Sequence, residues 1–445
     1  MLQARTVALM LLLLWSAPAR ADNRDPSGER EELRFLDPSD PDYRTPRAGE
    51  GFRTRIFGRD VEVEPRDRRS TSALSLGAAG WHPRPEGRGQ VPFFAAYFWR
   101  RPDEQRFFRG SVSILYNDLL YAHSLASDTP FEVVLSFEND TVPFGSSALW
   151  ADGERITGEE LEWGWVRGGV GLGYRRQLVP GFGEIEFADH VDPQTPDNMF
   201  AVRATLEPKY LYFSQGDDAS PFFVTPQDTF ELQGRLALRW DALERNLLDL
   251  SHHGYALGFD GLLGWRANWE DWGLGERAGR GRDWRLLQAY AVVADGVPGL
   301  GERHRLIGSL HGGWGGDLDR FSRPRLGGGP GGDEYLSLAR AKIPGATISE
   351  FTPDHYVSAI AEYRYELFFF TYLSGRTGVA WLDRDRLHLA GIHRQNDVLT
   401  SVGGRLTTGF FFESRLQVDY NYNFDVIREG DRGGNEWIVH LSRPF

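Results

Sequence analysis

Apolar and polar residues alternate along much of the chain after residue 70, and the alternation is clearest near the C-terminus. From Leu416 to Phe424 every second residue is aliphatic or aromatic, while Gln, Asp and Asn occupy the positions between them. Successive side chains of a strand point to opposite faces, so this pattern predicts a strand with one apolar and one polar face. The segment 436–445 repeats the pattern with Trp437, Val439, Leu441 and the terminal Phe445.

Similar runs, separated by residues typical of turns, predict an all-β fold for residues 71–445. Bacterial single-chain membrane barrels have an even number of strands, and tilted strands of about ten residues span a bilayer. We therefore expect a single transmembrane antiparallel β-barrel of about 16 strands. The predicted strands are 72–81, 91–101, 106–123, 130–139, 160–177, 182–190, 198–214, 228–240, 253–268, 282–295, 303–315, 357–368, 373–383, 400–411, 414–425 and 436–445.

The predicted connections alternate between long and short over the C-terminal half of the chain. Outer-membrane barrels show this alternation because their extracellular loops are long and their periplasmic turns are short. A soluble β-sandwich has no reason to keep it, so the alternation favours the barrel over a half-buried hairpin of a sandwich. Taken backwards from the C-terminus, the connections are 426–435, 412–413, 384–399, 369–372 and 316–356.

Composition is compatible with a barrel but does not select it. Aromatic residues make up 13% of the chain and there are 52 glycines, as aromatic girdles and close strand contacts require. A secreted carbohydrate-binding sandwich would share both features. No segment after the N-terminus is a continuous apolar run of about 20 residues, which excludes a helical membrane protein. The chain has no Cys, which excludes disulfides and thiolate chemistry.

The N-terminus predicts export. Residues 1–21 read as a signal peptide, with Arg5 before an apolar run and Ala19-Arg20-Ala21 as a cleavage site. Cleavage removes both arginines, so the formal net charge of −13 becomes −15, which argues against nucleic acid as a partner. Residues 22–70 are polar and rich in Pro, and we expect a mostly disordered periplasmic arm with at most one short strand near Val61 and Val63.

One predicted strand carries charges on the face that must turn away from lipid. In residues 357–367, Glu362, Arg364 and Glu366 alternate with tyrosines and alanines. A row of charged side chains is costly in hydrocarbon, so it is expected to face a wet lumen or another polar element.

From about residue 228 onward the chain resembles the outer membrane protein 85 superfamily, the BamA/TamA-like surface-antigen barrels. Four stretches, in this order and spacing, carry the resemblance. They are ALRWDALERN…HHGY (237–255), RPRLGGGPGGDEY (323–335) between strands eleven and twelve, AEYRYEL (361–367) and GVAWLDRD (378–385). The resemblance implies that the long loop after strand eleven, loop six, folds into the lumen.

The resemblance also implies a lock, in which an arginine of loop six meets acidic residues on strands twelve and thirteen. By position these acids are Glu362 and Asp383, with Arg364 beside them. The chain departs from the family pattern, because Gly332-Asp333-Glu334-Tyr335 stands where Arg-Gly-Tyr is expected. Arg325 or Arg340 can supply the cation instead, since a guanidinium suits carboxylates in a confined lumen.

The resemblance predicts a bacterial outer-membrane protein that inserts or translocates protein or lipid clients, and not an enzyme. The alternatives are a passive pore for small solutes and, more remotely, a barrel hydrolase. Residues 22–70 are too short for a POTRA domain, so a separate periplasmic partner is expected to replace it. The other expected partners are outer-membrane lipid, lipopolysaccharide and the outer-membrane assembly machinery, and no cofactor or metal is predicted.

The closing strand is expected to act in assembly. Phe445 ends it at the membrane interface, where an aromatic residue is favoured, and we expect it to be an assembly signal together with Trp437, Val439 and Leu441. Pro444 cannot donate to a strand ladder, which predicts a weak seam between the first and last strands.

Overall fold

A computed structural model describes residues 33–40, 43–56, 58–65, 70–83, 90–100, 105–113, 116–126, 129–142, 149–151, 154–156, 158–178, 199–216, 219–273, 281–329, 338–388, 391–409, 414–428 and 430–444. Within these residues, sixteen strands close an antiparallel barrel, which confirms the predicted fold class. Every backbone donor in a closed barrel can be paired between strands, so the barrel has no open sheet edge.

In chain order the strands are β1 Phe35–Leu36, β2 Phe52–Ile56, β3 Arg59–Val63, β4 Ser70–His82, β5 Gln90–Arg100, β6 Arg106–Ser113, β7 Tyr116–Ser124, β8 Phe131–Val142, β9 Leu149–Ala151, β10 Glu154–Ile156, β11 Leu161–Gln177, β12 Met199–Gln215, β13 Thr229–Arg245, β14 Ser251–Arg266, β15 Asp283–Gly296, β16 His304–Gly316, β17 His355–Phe368, β18 Thr371–His388, β19 Gly391–Thr408, β20 Arg415–Arg428 and β21 Asp431–Pro444. The barrel consists of β4–β8 and β11–β21, while β9 and β10 form a separate hairpin.

The strand boundaries differ from the prediction in two ways. The segment 106–123, predicted as one strand, is the antiparallel pair β6 and β7, and the predicted strand 182–190 lies outside the described residues. The predicted loops 384–399 and 426–435 are largely strand, because β18–β19 and β20–β21 continue as long hairpins. Polar residues can continue a strand beyond its apolar part, which is why a hydrophobic pattern missed these extensions.

The two faces of the barrel wall have the predicted polarity. On β20, Val418, Tyr420 and Phe424 are exposed on the outer face, whereas Asp419, Asn421 and Asn423 are buried inside. Glu362, Arg364 and Glu366 of β17 are likewise buried, as their alternation predicted. Among the described residues no helix combines the length and the apolarity needed to cross a membrane.

The segment before the barrel is more ordered than its composition predicted. It holds a three-stranded sheet in the order β1-β2-β3, with β1 parallel to β2 and β2 antiparallel to β3, instead of one short strand. Leu36 and Phe52 of this sheet are buried against Phe369, in the turn between β17 and β18. The tertiary contact with the barrel therefore supplies the burial that this polar segment lacks on its own.

Polar contacts join the same segment to the barrel end. The Tyr43 and Thr45 hydroxyls each donate to the Glu366 carboxylate at 2.5 Å, and burial together with that carboxylate raises the pKa of Tyr43. Arg303, in the turn between β15 and β16, donates to the Pro38 carbonyl. The N-terminal sheet therefore lies on the barrel end formed by the short turns.

The barrel closes between its last and first strands. β21 pairs with β4 from Asn435, opposite His82, to Pro444, opposite Ala73. On the closing strand, Glu436, Ile438 and His440 are buried inside, and Trp437, Val439 and Leu441 alternate with them. Phe445 lies outside the described residues. The β21–β4 pairing is hereafter called the seam.

Candidate functional site: loop six and the lumen wall

The connection between β16 and β17, loop six, is described for residues 317–329 and 338–354. It doubles back on itself, since Leu326 and Phe351 exchange backbone hydrogen bonds at 2.8 and 2.9 Å. Leu326, Ile343 and Phe351 share a buried cluster with wall residues such as Tyr356 of β17 and Leu382 of β18. Apolar burial against the wall therefore holds the loop inside the barrel, as the resemblance implied.

Phe321 anchors the first part of loop six. Its ring centroid lies 4.8 Å from that of Phe213, 5.0 Å from those of Trp163 and Trp272, and 5.9 Å from that of Trp269. Edge-to-face aromatic contacts add about 0.5–1.5 kcal/mol each beyond the burial itself. These rings belong to β11, β12 and the β14–β15 connection, so Phe321 ties loop six to the side of the barrel away from β17.

A buried ion network lies next to this anchor. Arg266, at the end of β14, is fully buried and pairs with Glu231 of β13 and, at 2.5 Å, with Asp319 of loop six. The other oxygen of Asp319 accepts from the Phe321 and Ser322 amides at 3.0 and 3.1 Å, so the turn aims the carboxylate at the wall. Lys209 of β12 bonds to Glu231 at 3.2 Å.

Three further ion pairs involve loop six, two of them made by Arg323 and one by Glu350. Arg323 bonds to Asp354, at the end of the loop, and at 2.5 Å to Asp385 of β18. Glu350 pairs with the fully buried Arg428 of β20, with the Arg428 Nη2 nitrogen 2.7 Å from a carboxylate oxygen. Loop six thus forms ion pairs with three strands. It supplies the carboxylate to β14 and β20 and the guanidinium to β18.

Backbone amides of loop six also bind a carboxylate of the closing strand. Glu436 of β21, 1% exposed, accepts from the Gly329 amide at 2.5 Å and from the Gly345 amide at 3.1 Å. A Cβ atom at Gly328 would lie 2.1 Å from a Glu436 oxygen, so only glycine allows this approach. Gly328 and Gly329 therefore form a backbone cradle for Glu436.

The residues predicted to form the lock are placed differently from the prediction. Glu362 pairs with Arg364 on its own strand at 2.8 Å and lies 3.8 Å from Arg405 of β19. Asp383 pairs with Arg394 of β19 at 2.6 Å. The loop arginine that reaches a β18 carboxylate is Arg323.

The two predicted loop cations lie elsewhere. Arg325 stacks over the Trp163 ring at 4.4 Å, and Arg340 is exposed. Arg394 was missed as a partner of Asp383 because residues 384–399 were predicted to be a loop, whereas β18 and β19 continue there and bring the two residues together.

A polar chain connects Glu362 to the loop. Arg405 bonds to Asp419 of β20 at 2.6 Å, Arg376 bonds to Asn421 at 2.9 Å, and Asn421 donates to Glu436 at 2.9 Å. Lys342 of loop six interacts electrostatically with Arg405 and Asp419 of this chain, and burial together with Arg405 lowers the pKa of Lys342 to about 7. The neutral form of Lys342 is therefore favoured when the loop is docked.

Among the described residues, no group of His, Asp and Glu has a metal-binding arrangement. Two wall histidines that a hydrolase could use as a base, His355 and His252, serve as packing and hydrogen-bonding groups. His355 stacks on Trp314 with a centroid distance of 3.9 Å, and His252 bonds to Glu302 at 2.9 Å.

Similarity to known proteins is limited to solved structures, since no family model and no curated protein matches the chain. CdiB from Acinetobacter baumannii is 11% identical with a TM-score of 0.47, over 87% of this chain and 63% of that one. BamA from Haemophilus ducreyi lacking POTRA domains 1–3 is 9% identical with a TM-score of 0.49, over 89% and 75%. CdiB from Escherichia coli is 12% identical with a TM-score of 0.46, over 88% and 67%. At these values the likeness concerns the barrel alone.

Proposed function

We propose that this protein is an outer-membrane barrel that inserts or translocates a protein or lipid client, with its lumen closed at rest. The observation that carries the proposal is that loop six bridges the lumen. Phe321 packs on β11 and β12, Glu350 pairs with β20, and the Gly329 and Gly345 amides bind Glu436 of β21. These strands lie on different sides of the closed barrel.

The end of the barrel formed by the short turns is covered as well. The turn between β13 and β14 reaches towards β20, where Arg415 donates to the Leu248 carbonyl at 3.0 Å. The N-terminal sheet packs on the same turn, with the Leu247 amide donating to the Pro46 carbonyl at 3.0 Å. A passive pore needs a continuous water path, and the contacts that the described residues make at both ends argue against one.

The same arrangement suits a barrel that opens only for a client. A few buried ion pairs hold loop six in place, and each such pair is either complete or broken. Loop six is therefore expected to have two states, docked and released. The sequences of loop six and β17–β18 resemble those of BamA/TamA-like barrels. This resemblance supports the proposal that the client is inserted into or translocated across the outer membrane. In this proposal the partners are outer-membrane lipid and lipopolysaccharide, the assembly machinery and a separate periplasmic protein in place of POTRA domains.

Membrane location is tested first. We expect the protein to fractionate with outer membranes and to migrate differently on gels before and after boiling, because a closed barrel resists detergent until heated. Recovery as a water-soluble periplasmic protein would refute the proposal.

Function is tested with purified protein in lipid vesicles. We expect these vesicles to accelerate the folding of a urea-unfolded, eight-stranded barrel client, measured by its gel shift, relative to empty vesicles. The matched control is a double variant, Ala78→Cys with Val439→Cys. The two positions face each other across the seam, and the chain has no native Cys, so oxidation can join only these two residues. The oxidised pair should lose the acceleration and the reduced pair should keep it.

Two outcomes would replace the proposal. A large and steady conductance in a planar bilayer, with no acceleration of client folding, would identify a passive pore. Turnover of a lipid or peptide by the purified protein would identify a hydrolase.

A further inference from the structure

Loop six bonds to both strands of the seam at one pair of directly opposed residues. Trp81 of β4 and Glu436 of β21 face each other in the strand register. The Trp81 indole donates to the Ala346 carbonyl at 2.9 Å, and the neighbouring Gly345 amide donates to Glu436 at 3.1 Å. Two consecutive loop residues therefore bond to two directly opposed seam residues, one on each strand.

Apolar packing acts at the same place. Ala79 and Trp81 of β4 and Ile438 of β21 form one buried cluster, and Ile348 of loop six packs against it. The loop therefore places an apolar side chain against a cluster that both strands of the seam form. Moving Ile348 away would expose apolar surface of this cluster to the lumen.

The loop backbone can lie this close only because of its glycines. Gly345 has a φ of +83°, and a Cβ atom there would lie 2.6 Å from the Asn423 Cβ atom on β20. The left-handed conformation and the close approach both require glycine. A substitution at Gly345 should therefore disturb the contact between loop six and the seam without altering either strand of the seam.

We propose that loop six is a latch on the seam, fastened by Ala346 to Trp81, by Gly345 to Glu436 and by Ile348 to the cluster between them. Withdrawal of the loop removes the acceptor of a buried indole on one strand and both loop donors of a buried carboxylate on the paired strand, so the seam loosens there. Coupling of this kind is reciprocal, and opening the seam must also release the loop.

The latch deepens the proposed function, since it names the residues that would keep a client from entering between β4 and β21. The physical coupling can be measured without any client. Its test therefore fails or succeeds independently of the insertion assay.

The test is hydrogen exchange of the intact protein in detergent micelles, followed on seam peptides from β4 and β21. Trp81→Phe removes the hydrogen bond from the Trp81 indole to the Ala346 carbonyl of loop six, at the seam. The matched control is His311→Phe, which deletes the 2.8 Å bond from another wall ring to the Leu338 carbonyl, away from the seam. We expect roughly fivefold faster seam exchange for Trp81→Phe and an unchanged seam for His311→Phe, as one lost hydrogen bond predicts.

Gly345→Ala keeps the inference falsifiable if Trp81→Phe does not fold. It displaces the loop and leaves both seam strands native, and we expect seam exchange to accelerate at least about tenfold because backbone strain adds to the clash. Peptides from β13 and β14 should be unchanged in this variant. Unchanged seam exchange in Gly345→Ala, or equal seam effects of Trp81→Phe and His311→Phe, would overturn the latch.

Discussion

The ion network around Arg266 makes the sharpest prediction about loop six. Asp319→Asn changes one atom of the side chain and keeps the oxygen that accepts from the Phe321 and Ser322 amides. It replaces the oxygen facing Arg266 by an NH₂ group, so a donor then meets a donor. The substitution therefore breaks the contact between the loop and the wall while preserving the turn.

The magnitude follows from burial. The side chains of Arg266 and Glu231 are fully buried and that of Asp319 is 3% exposed, so water does not replace the lost partner. Breaking one side of such a pair costs roughly 3–5 kcal/mol. Because Arg266 keeps Glu231, we expect the lower end, about 3 kcal/mol, which raises the open fraction of the loop by roughly two orders of magnitude.

Two measurements follow the loop. We expect Asp319→Asn to increase the rate of protease cleavage within 317–354 and to increase the frequency of conductance openings in a planar bilayer. Arg266→Met should give the same phenotype, and the double variant should be little worse than either single one because the two residues share one interaction.

The matched control is Arg55→Gln, which breaks an exposed ion pair with Asp60 on the N-terminal sheet and should change neither readout. Additive effects of Asp319→Asn and Arg266→Met would contradict the reasoning. So would a loop that is already cleaved at the full rate in the native protein.

Further predictions concern the anchor, the N-terminal sheet, the pH response and assembly. Phe321→Ala should cost about 3–5 kcal/mol of loop docking and expose the loop to protease, whereas Phe321→Leu should cost clearly less. Phe52→Ala removes a fully buried ring and should expose residues 33–65 to protease, while the barrel still migrates as a folded species on gels. Unfolding of the barrel in the same variant would contradict the view that the N-terminal sheet docks independently. Because burial and Arg405 lower the pKa of Lys342 from 10.5 to about 7, docking should weaken as pH falls from about 10.5 to 7 and level off below; Lys342→Gln should flatten that part of a protease-rate profile. Phe445→Ser should block membrane assembly but not export, and normal membrane levels of the variant would show that the C-terminus is not an assembly signal.

The alternation of apolar and polar residues, together with the alternation of long and short connections, was enough to predict the barrel. Two-residue periodicity is a local property, and in β17 and β20 it placed charged residues inside and aromatic residues outside, where the structure has them. These features depend on neighbours along the chain, which a sequence displays directly.

Partners across the lumen could not be predicted in the same way. Asp319 and Arg266 are separated by 53 residues, and Gly329 and Glu436 by 107, so their pairing depends on where the barrel closes. The alternation shows that Glu362 and Asp383 face inward, but β19 already supplies them with Arg405 and Arg394. The order in the N-terminal sheet has the same origin, because burial against Phe369 exists only once the barrel has formed. Sequence therefore determined which face each side chain occupies, and only the tertiary structure decided which charges meet, since a short-range pattern carries no information about contacts across a closed lumen.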